Sequence, residues 1–329
     1  MTVVGIDIGG TKTAVLRAVI GGDGSVKIDK AGVFPTFHST EEPEKCPYET
    51  LNRALELVDG IRAASCEPVT HIGVACGGPL DEKRGLILAP PNLPEWDSIP
   101  VVRYIEDNTG IPCTLCNDAN ACALAEWKFG AGRGTDDMVF LTFGTGFGAG
   151  VISGGRLVSG AAGSAGEIGH VMARPDEYGI LPVGYGVKGS YEGYCSGGGI
   201  KQIARYFAEE ALASGRPAAF CKNENELDGI TAKTVADAAR AGDETALKIY
   251  RMSARYLGEA AAVLSDLFDP ERIVVGGIYA RCVDLMEPIA TETMKKLALP
   301  ASGCVIVPSG LGEAVGDYSC VAAVFNAIN

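Results

Sequence analysis

Two glycine-rich turns and a handful of carboxylates hold the residue types that could do chemistry in this chain. The first turn lies in Val4-Gly5-Ile6-Asp7-Ile8-Gly9-Gly10-Thr11-Lys12-Thr13. Alternating apolar residues lead into it and residues 14–20 lead out, a pattern that predicts strand, tight turn, strand. Gly9 and Gly10 carry no Cβ, so the backbone can turn sharply and a phosphate can approach its N–H groups. Thr11 and Thr13 offer hydroxyls, Lys12 a cation, and Asp7 a carboxylate suited to a metal-bound water. A β-turn with a polar tip would use the same residues, since short glycine motifs also occur without a ligand.

A second stretch repeats the pattern. Residues 138–150, Met-Val-Phe-Leu-Thr-Phe-Gly-Thr-Gly-Phe-Gly-Ala-Gly, give an apolar strand, a turn at Gly144-Thr145-Gly146 and the start of another strand. Two such hairpins suggest one phosphate tail held between two lobes. A third glycine pair, Gly276-Gly277, follows the apolar run 273–275, where an adenosine could lie against bare backbone. Asn117-Asp118-Ala119-Asn120 stands between a strand at 111–116 and a helix at 121–129. Asp118 there could be a helix cap, a common use of Asp, or a general base for a hydroxyl. A helix N-terminus should hold its carboxylate ionised.

The elements that must position these groups follow from periodicity. Residues 26–34 predict a strand after a turn at 21–24. Residues 43–64 place Leu51, Ala54, Leu55 and Val58 at helical spacing. Residues 71–75 are a buried strand running into Cys76-Gly77-Gly78-Pro79, a loop at a strand's C-terminal end, where ligand crevices form in α/β sheets. Ser98 should cap a helix that has Pro100 in its first turn and ends near Gly110. A Gly/Ala/Ser run at 159–166 precedes Glu167 and His170, with both expected on a strand and turn. Ser196-Gly-Gly-Gly-Ile200 should open a helix to about Ser214, and further helices are expected at 231–241, 243–268, 286–297 and 317–328, with a last strand at 305–307. Cys113-x-x-Cys116 has metal-like spacing, but it sits in a strand with no second pair and reads as core.

Taken together, the chain resembles the sugar kinases of the ROK family (repressor, open reading frame, kinase). The matching pieces are Asp-Ile-Gly-Gly-Thr-Lys (7–12), Pro-Asn-Leu-Pro-Glu-Trp (91–96), Asn-Asp-Ala-Asn (117–120), Phe-Gly-Thr-Gly-Phe-Gly-Ala-Gly (143–150) and Gly-Glu-Ile-Gly-His (166–170), in the family's order and spacing. The resemblance implies an α/β protein of the actin-like ATPase, ribonuclease H-like, fold, with two lobes and a cleft between them. Residues 1–117 and 310–329 would form the N-terminal lobe and 118–309 the C-terminal lobe. It implies ATP and Mg²⁺ as cofactors, with Mg²⁺ near Asp7, and a hexose or N-acyl-hexosamine as acceptor, phosphorylated at O6 as by a glucokinase. The nucleotide would fall to Gly9, Gly10, Thr11, Lys12, Thr13, Gly144, Thr145, Gly146, Gly276 and Gly277. In this context Asp118 is favoured as the base.

On the sugar side the resemblance points to Gly78, Asn92, Asn117, Glu167, His170 and Glu192. An amide such as Asn92 can both donate to and accept from a hydroxyl. Prolines make its loop stiff in any case, and a lone histidine such as His170 is often structural. Glu192 has an alternative use in starting a helix near Ser196. Many family members hold a structural Zn²⁺ with the histidine and three cysteines of a following loop. Here those cysteine positions are Val183, Tyr185 and Ser190. Zn²⁺ prefers thiolate and imidazole ligands, so no structural zinc is expected.

Composition bounds the rest. The chain has 329 residues, 28 Lys+Arg and 41 Asp+Glu, a net charge of −13. That argues against a nucleic acid or an anionic membrane as partner, because both need a basic face. Strand residues begin directly after Met1-Thr2, no apolar run is long enough to span a membrane, and 11 cysteines are scattered through apolar surroundings. A cytoplasmic protein with reduced thiols is expected. Family repressors carry a helix-turn-helix domain ahead of this fold, and Asp7 lies too close to Met1 for one. A catalytically silent sugar-binding protein is the other alternative. The family often dimerises, although no interface signature stands out here.

Overall fold

The computed structural model describes the whole chain except residues 24, 162, 176, 177 and 329, and except the side chains of 327 and 328. Gly24 of the expected 21–24 turn and Ala162 of the 159–166 run thus lie outside the described residues. Met1–Gly134, Gly150–Ala165 and Glu313–Asn329 form one compact unit, and Thr135–Ala149 with Gly166–Gly312 a second.

The first unit begins with strands β1 (Thr2–Ile8), β2 (Lys12–Ile20) and β3 (Val26–Pro35), helix α1 (Cys46–Ala64) and strand β4 (Val69–Cys76). Two short strands, β5 (Leu80–Asp81) and β6 (Leu86–Ile87), precede helix α2 (Val101–Thr109), strand β7 (Cys113–Asn117) and helix α3 (Asp118–Phe129). The sheet order is β3-β2-β1-β4-β7, with the first three antiparallel and β4 and β7 parallel to β1. Successive side chains of a strand point to opposite faces. Val4, Ile6 and Ile8 therefore share the face on which α1 sets Leu51, Ala54, Leu55, Val58 and Ile61, and all of these are buried.

The second unit opens with β8 (Met138–Phe143) and the start of β9 (Phe147–Ser153), and β10 (Arg156–Leu157) lies in the first unit. The chain passes into the first unit within β9. Next come β11 (Val183–Gly184), β12 (Val187–Lys188), α4 (Tyr191–Tyr194), α5 (Gly197–Ala213), α6 (Ala232–Arg240) and α7 (Glu244–Phe268). The unit closes with β13 (Arg272–Val275), α8 (Ile278–Arg281), α9 (Val283–Leu297) and β14 (Val305–Pro308). The sheet order is β10-β9-β8-β13-β14, with β13 parallel to both neighbours. Gly258 lets α7 and α9 approach closely, since a Cβ there would stand 2.5 Å from the Ala290 carbonyl oxygen.

The chain returns to the first unit in α10 (Val315–Ala322) and α11 (Phe325–Ile328). The expected single helix at 317–328 is thus two, separated by Ala323-Val324. Helix α10 lies on the sheet face opposite α1. It comes so close that a Cβ on Gly5 would stand 2.6 Å from Cys320 Sγ, and Gly73 meets the Cys320 carbonyl. The sequence expectation put the lobe boundary before Asp118, but α3 groups with the first unit. Phe129 packs its ring 5.6 Å from that of Tyr318, and a Cβ on Gly150 would stand 2.7 Å from the Ala119 carbonyl oxygen. Ser98 is not the cap of α2. It has φ of 57°, and Pro100 takes the cap position. All eleven cysteines are free. Among the described residues no helix is long and apolar enough to cross a membrane.

Candidate active site

In the first unit, the C-terminal ends of β1, β4 and β7 bring Asp7, the Cys76–Pro79 loop and Asn117-Asp118 to one side of the sheet. The β1–β2 turn closes with Gly9 N–H donating to the Lys12 carbonyl at 3.1 Å. The carbonyls of that turn are all occupied. Thr36 Oγ1 donates to Gly9 O at 2.6 Å, His38 Nε2 lies 2.6 Å from Gly10 O, and Thr36 N–H donates to Thr11 O at 3.1 Å. The N–H groups of Gly10 and Thr11 donate to nothing among the described residues. A turn with its acceptors engaged and its donors open is the electrostatic form of an anion cradle. Thr11 and Lys12 are exposed beside it.

Thr13 does not belong to that cradle. Its side chain is fully buried, and its hydroxyl shares a 2.9 Å hydrogen bond with Thr36. It lies two residues beyond Thr11, inside β2 and past the turn, where Thr36 packs over it. Gly10 needs to be glycine for a packing reason as well. A Cβ there would stand 2.6 Å from both Cβ and O of Asn92, so the turn rests directly on the Pro-rich loop.

Asn117, not Asp118, caps α3. Its side-chain oxygen accepts from the N–H groups of Ala119 and Asn120 at 3.0 and 3.5 Å. The helix starts at Asp118, a turn earlier than periodicity implied. This engages the Asn117 oxygen and leaves its amide NH₂ toward Gly78, where a Cβ would stand 3.3 Å from Nδ2. Asp118 Oδ1 accepts from the Ala119 N–H at 2.8 Å, and Oδ2 faces Gly77. The Asp118 carboxylate reaches solvent at its surface but has protein dense around it. That burial raises its pKa above the usual carboxylate value, although the Ala119 N–H pulls the other way. The helix N-terminus alone suggested the opposite direction, because desolvation cannot be seen in a linear motif. Asp7 is pushed up to about 6, first by burial and then by the charges of Asp118 and Asp317.

In the second unit the β8–β9 turn is tied on several sides. Gly144 N–H donates to Gly146 O at 3.0 Å, and Gly197 N–H, at the start of α5, donates to Gly144 O at 2.9 Å. Thr145 is exposed at the tip. Glu192 Oε2 accepts from the Phe147 N–H at 3.0 Å and lies 2.8 Å from where a Gly146 Cβ would stand. Gly277, with φ of 65°, backs onto the Phe143 carbonyl. Gly276 is buried, with the Phe140 ring 3.0 Å from its would-be Cβ, so of that pair Gly277 is the one at the surface.

Glu167 and His170 are exposed at the ends of a 3₁₀ turn, Ile168–His170, rather than on a strand. Gly169 between them packs against the Phe147 carbonyl, which leaves no room for a strand residue's Cβ. The His170 ring lies 5.6 Å from that of Tyr185. Ser190, at one of the family's cysteine positions, caps α4 by accepting from Gly193 N–H at 3.3 Å and donates to Gly184 O at 3.1 Å. Val183 pairs with Lys188 in the β11–β12 ribbon. A valine, a tyrosine and an engaged serine around one histidine are not a zinc donor set. Glu192 sits in the first turn of α4, a short helix of its own, and not in the helix that Ser196 caps, which its alternative use would require.

Three functional candidates escaped the sequence reasoning. Thr36 and His38 support the first turn from just after β3, and Gly197–Gly199 bring α5 onto the second. The glycine run at 197–199 was a visible signal, since three glycines are unfavourable at the start of a helix without a close neighbour. Thr36 and His38 had no local signal.

The ROK family's sequence profile matches residues 3–318. A glucokinase of Streptomyces coelicolor is 33% identical over 289 residues, 87% of this chain and 85% of that protein. An N-acetylmannosamine kinase of Escherichia coli is 36% identical over 278 residues, 84% of this chain and 83% of that protein. The crystal structure of a ROK family glucokinase from Streptomyces griseus, in complex with glucose and AMPPNP, matches with a TM-score of 0.74 at 29% identity, covering 100% of both chains.

Proposed function

The chain belongs to the ROK family, with its two-lobed actin-like ATPase fold, and is a sugar kinase; we propose that it moves the terminal phosphoryl group of ATP to O6 of a hexose or N-acyl-hexosamine, with Asp118 as the base. The observation that carries this is the division of labour at the start of α3. Asn117 takes the cap, so Asp118 engages only Oδ1, with the Ala119 N–H, and keeps Oδ2 for a hydroxyl, and burial makes it a stronger base than an ordinary aspartate. The sugar hydroxyl gives its proton to Asp118 as its oxygen bonds to the γ-phosphorus, and the β–γ bridging bond breaks to release ADP.

The open N–H groups of Gly10 and Thr11, with Lys12, hold phosphate oxygens where charge builds up. The Gly144–Gly146 turn does the same from the second unit, and Gly277 offers bare backbone to the adenosine. Mg²⁺ bound with ATP neutralises phosphate charge. Asp7 suits it, because a carboxylate raised by burial and then by two neighbouring carboxylates gains from a nearby cation. Asn92, Asn117 Nδ2, Gly78, Glu167, His170 and Glu192 orient the sugar. The work is that of a cytoplasmic enzyme whose partners are small molecules.

The test is ADP release with glucose, mannose, N-acetylglucosamine and N-acetylmannosamine, followed by ³¹P-coupled NMR of the product. Turnover with a 6-phosphate product is expected. Tight sugar binding without turnover would instead make the protein a silent sugar sensor.

A further inference from the structure

His38 stands outside every motif, yet it touches both halves of the first unit's site. It follows β3 and is exposed. Its Nε2 lies 2.6 Å from the Gly10 carbonyl oxygen of the nucleotide turn. Its Nδ1 lies 3.1 and 3.2 Å from the two oxygens of Glu95, in the Pro-Asn-Leu-Pro-Glu-Trp loop. A carbonyl and an ionised carboxylate can only accept. A neutral imidazole has one N–H and one lone pair, so it can satisfy one of these partners and must repel the other. Both contacts are made together only when both ring nitrogens carry protons.

We propose that His38, as the imidazolium, is a positioning residue that clasps the nucleotide turn to the sugar loop, so that loss of one proton loosens ATP and sugar binding together. The inference rests on the kinase reading above. Gly10 already lies against Asn92 with no room for a Cβ, so the clasp joins two segments that must keep a fixed spacing. The Gly10 contact, occupied along with those of Thr36, leaves the turn's N–H groups pointing to the phosphates.

The charged surroundings agree. The Gly10 carbonyl and then Glu95 raise the His38 pKa above its usual value. Burial opposes ionisation of Glu95, but its own backbone N–H and His38 hold it below the usual carboxylate range. Of the groups packed nearby, Cys46 at the start of α1 is kept a neutral thiol by burial, then by Glu95 and Glu49. Glu42 pairs with Lys45. Asp7 titrates on the acid side, near 6. The alkaline limb of the binding profile therefore belongs to His38.

The experiment compares wild type, His38→Gln and His38→Arg by steady-state kinetics from pH 6 to 9, with His38 titrated by NMR in wild type and in Glu95→Gln. Wild type is expected to lose affinity for ATP and sugar as pH rises through the His38 pKa, with kcat changed less. His38→Gln, whose two N–H donors sit on a single nitrogen and cannot span both partners, should raise both KM values about three- to tenfold at low pH and flatten the limb. His38→Arg, a permanent two-way donor, should keep tight binding at pH 9. Glu95→Gln should lower the pKa of the imidazole. An unchanged alkaline limb in His38→Gln, or equal losses in the Gln and Arg variants, overturns the clasp. Wild type that phosphorylates no sugar overturns the kinase reading instead, and the imidazole titration still decides whether the clasp is protonated.

Discussion

Glu192 and Phe147 are joined by a hydrogen bond: the Glu192 carboxylate accepts the Phe147 backbone N–H at 3.0 Å, across 45 residues of sequence. A side chain expected to hold sugar thus also holds the β8–β9 turn. One oxygen, Oε1, is left for a hydroxyl. Charged hydrogen bonds of this kind contribute ~1.5–3 kcal/mol.

Glu192→Gln can still accept from Phe147 through its amide oxygen, but it carries no charge. It should raise KM for sugar about tenfold and KM for ATP only slightly. Glu192→Ala releases the turn as well, so both KM values should rise by about tenfold. Steady-state kinetics with each substrate varied in turn decides this. A normal KM for ATP in the Ala variant would mean that the turn holds its shape without Glu192.

Asp118→Asn should lower kcat by at least ~10²-fold with sugar affinity kept, because only the transition state needs the base. It should not lower the melting temperature, since Asn117 is the cap and the Asp118 charge is held against burial. Asn117→Ala should show the converse pattern in stability, losing ~1 kcal/mol by denaturant unfolding. Near-normal turnover in Asp118→Asn would remove the base assignment.

Asp7 sets a pH dependence of stability in the absence of nucleotide and metal. Its folded pKa, about 6, lies above the ordinary aspartate value of 3.8. The folded state therefore binds the proton more tightly. Its stabilising contribution is complete below the lower value and is lost as pH rises through the upper one. Asp7→Asn should abolish that loss, so its melting temperature at pH 7 should exceed that of wild type by a few degrees, and the two should converge near pH 4. Activity should fall sharply in the same variant. Equal melting temperatures at pH 7 would show that the ionised carboxylate is not strained.

The 183–192 loop should need no zinc. Metal analysis of purified protein should find far less than one Zn per chain, and a chelator should not shift the melting temperature. A stoichiometric, tightly held Zn would mean that His170 finds donors other than Val183, Tyr185 and Ser190.

Much of this protein is written locally. The two glycine hairpins, the alternation of β1 and the apolar stripe of α1 depend on neighbours a few residues apart, so residue type and spacing were sufficient to find them. The family resemblance located the same motifs. What tertiary structure decided is which atoms remain available. Thr13 and Thr11 look alike in sequence, but Thr13 lies inside β2 and is buried against Thr36, while Thr11 stays in the turn. Asn117 and Asp118 both fit a cap, and the backbone of β7 entering α3 gave the cap to Asn117. Thr36 and His38 serve carbonyls 27 and 28 residues away. Hydrogen bonds at such separations, and the desolvation that raises Asp7 and Asp118, come from chain segments that only folding brings together, so no window of sequence contains them.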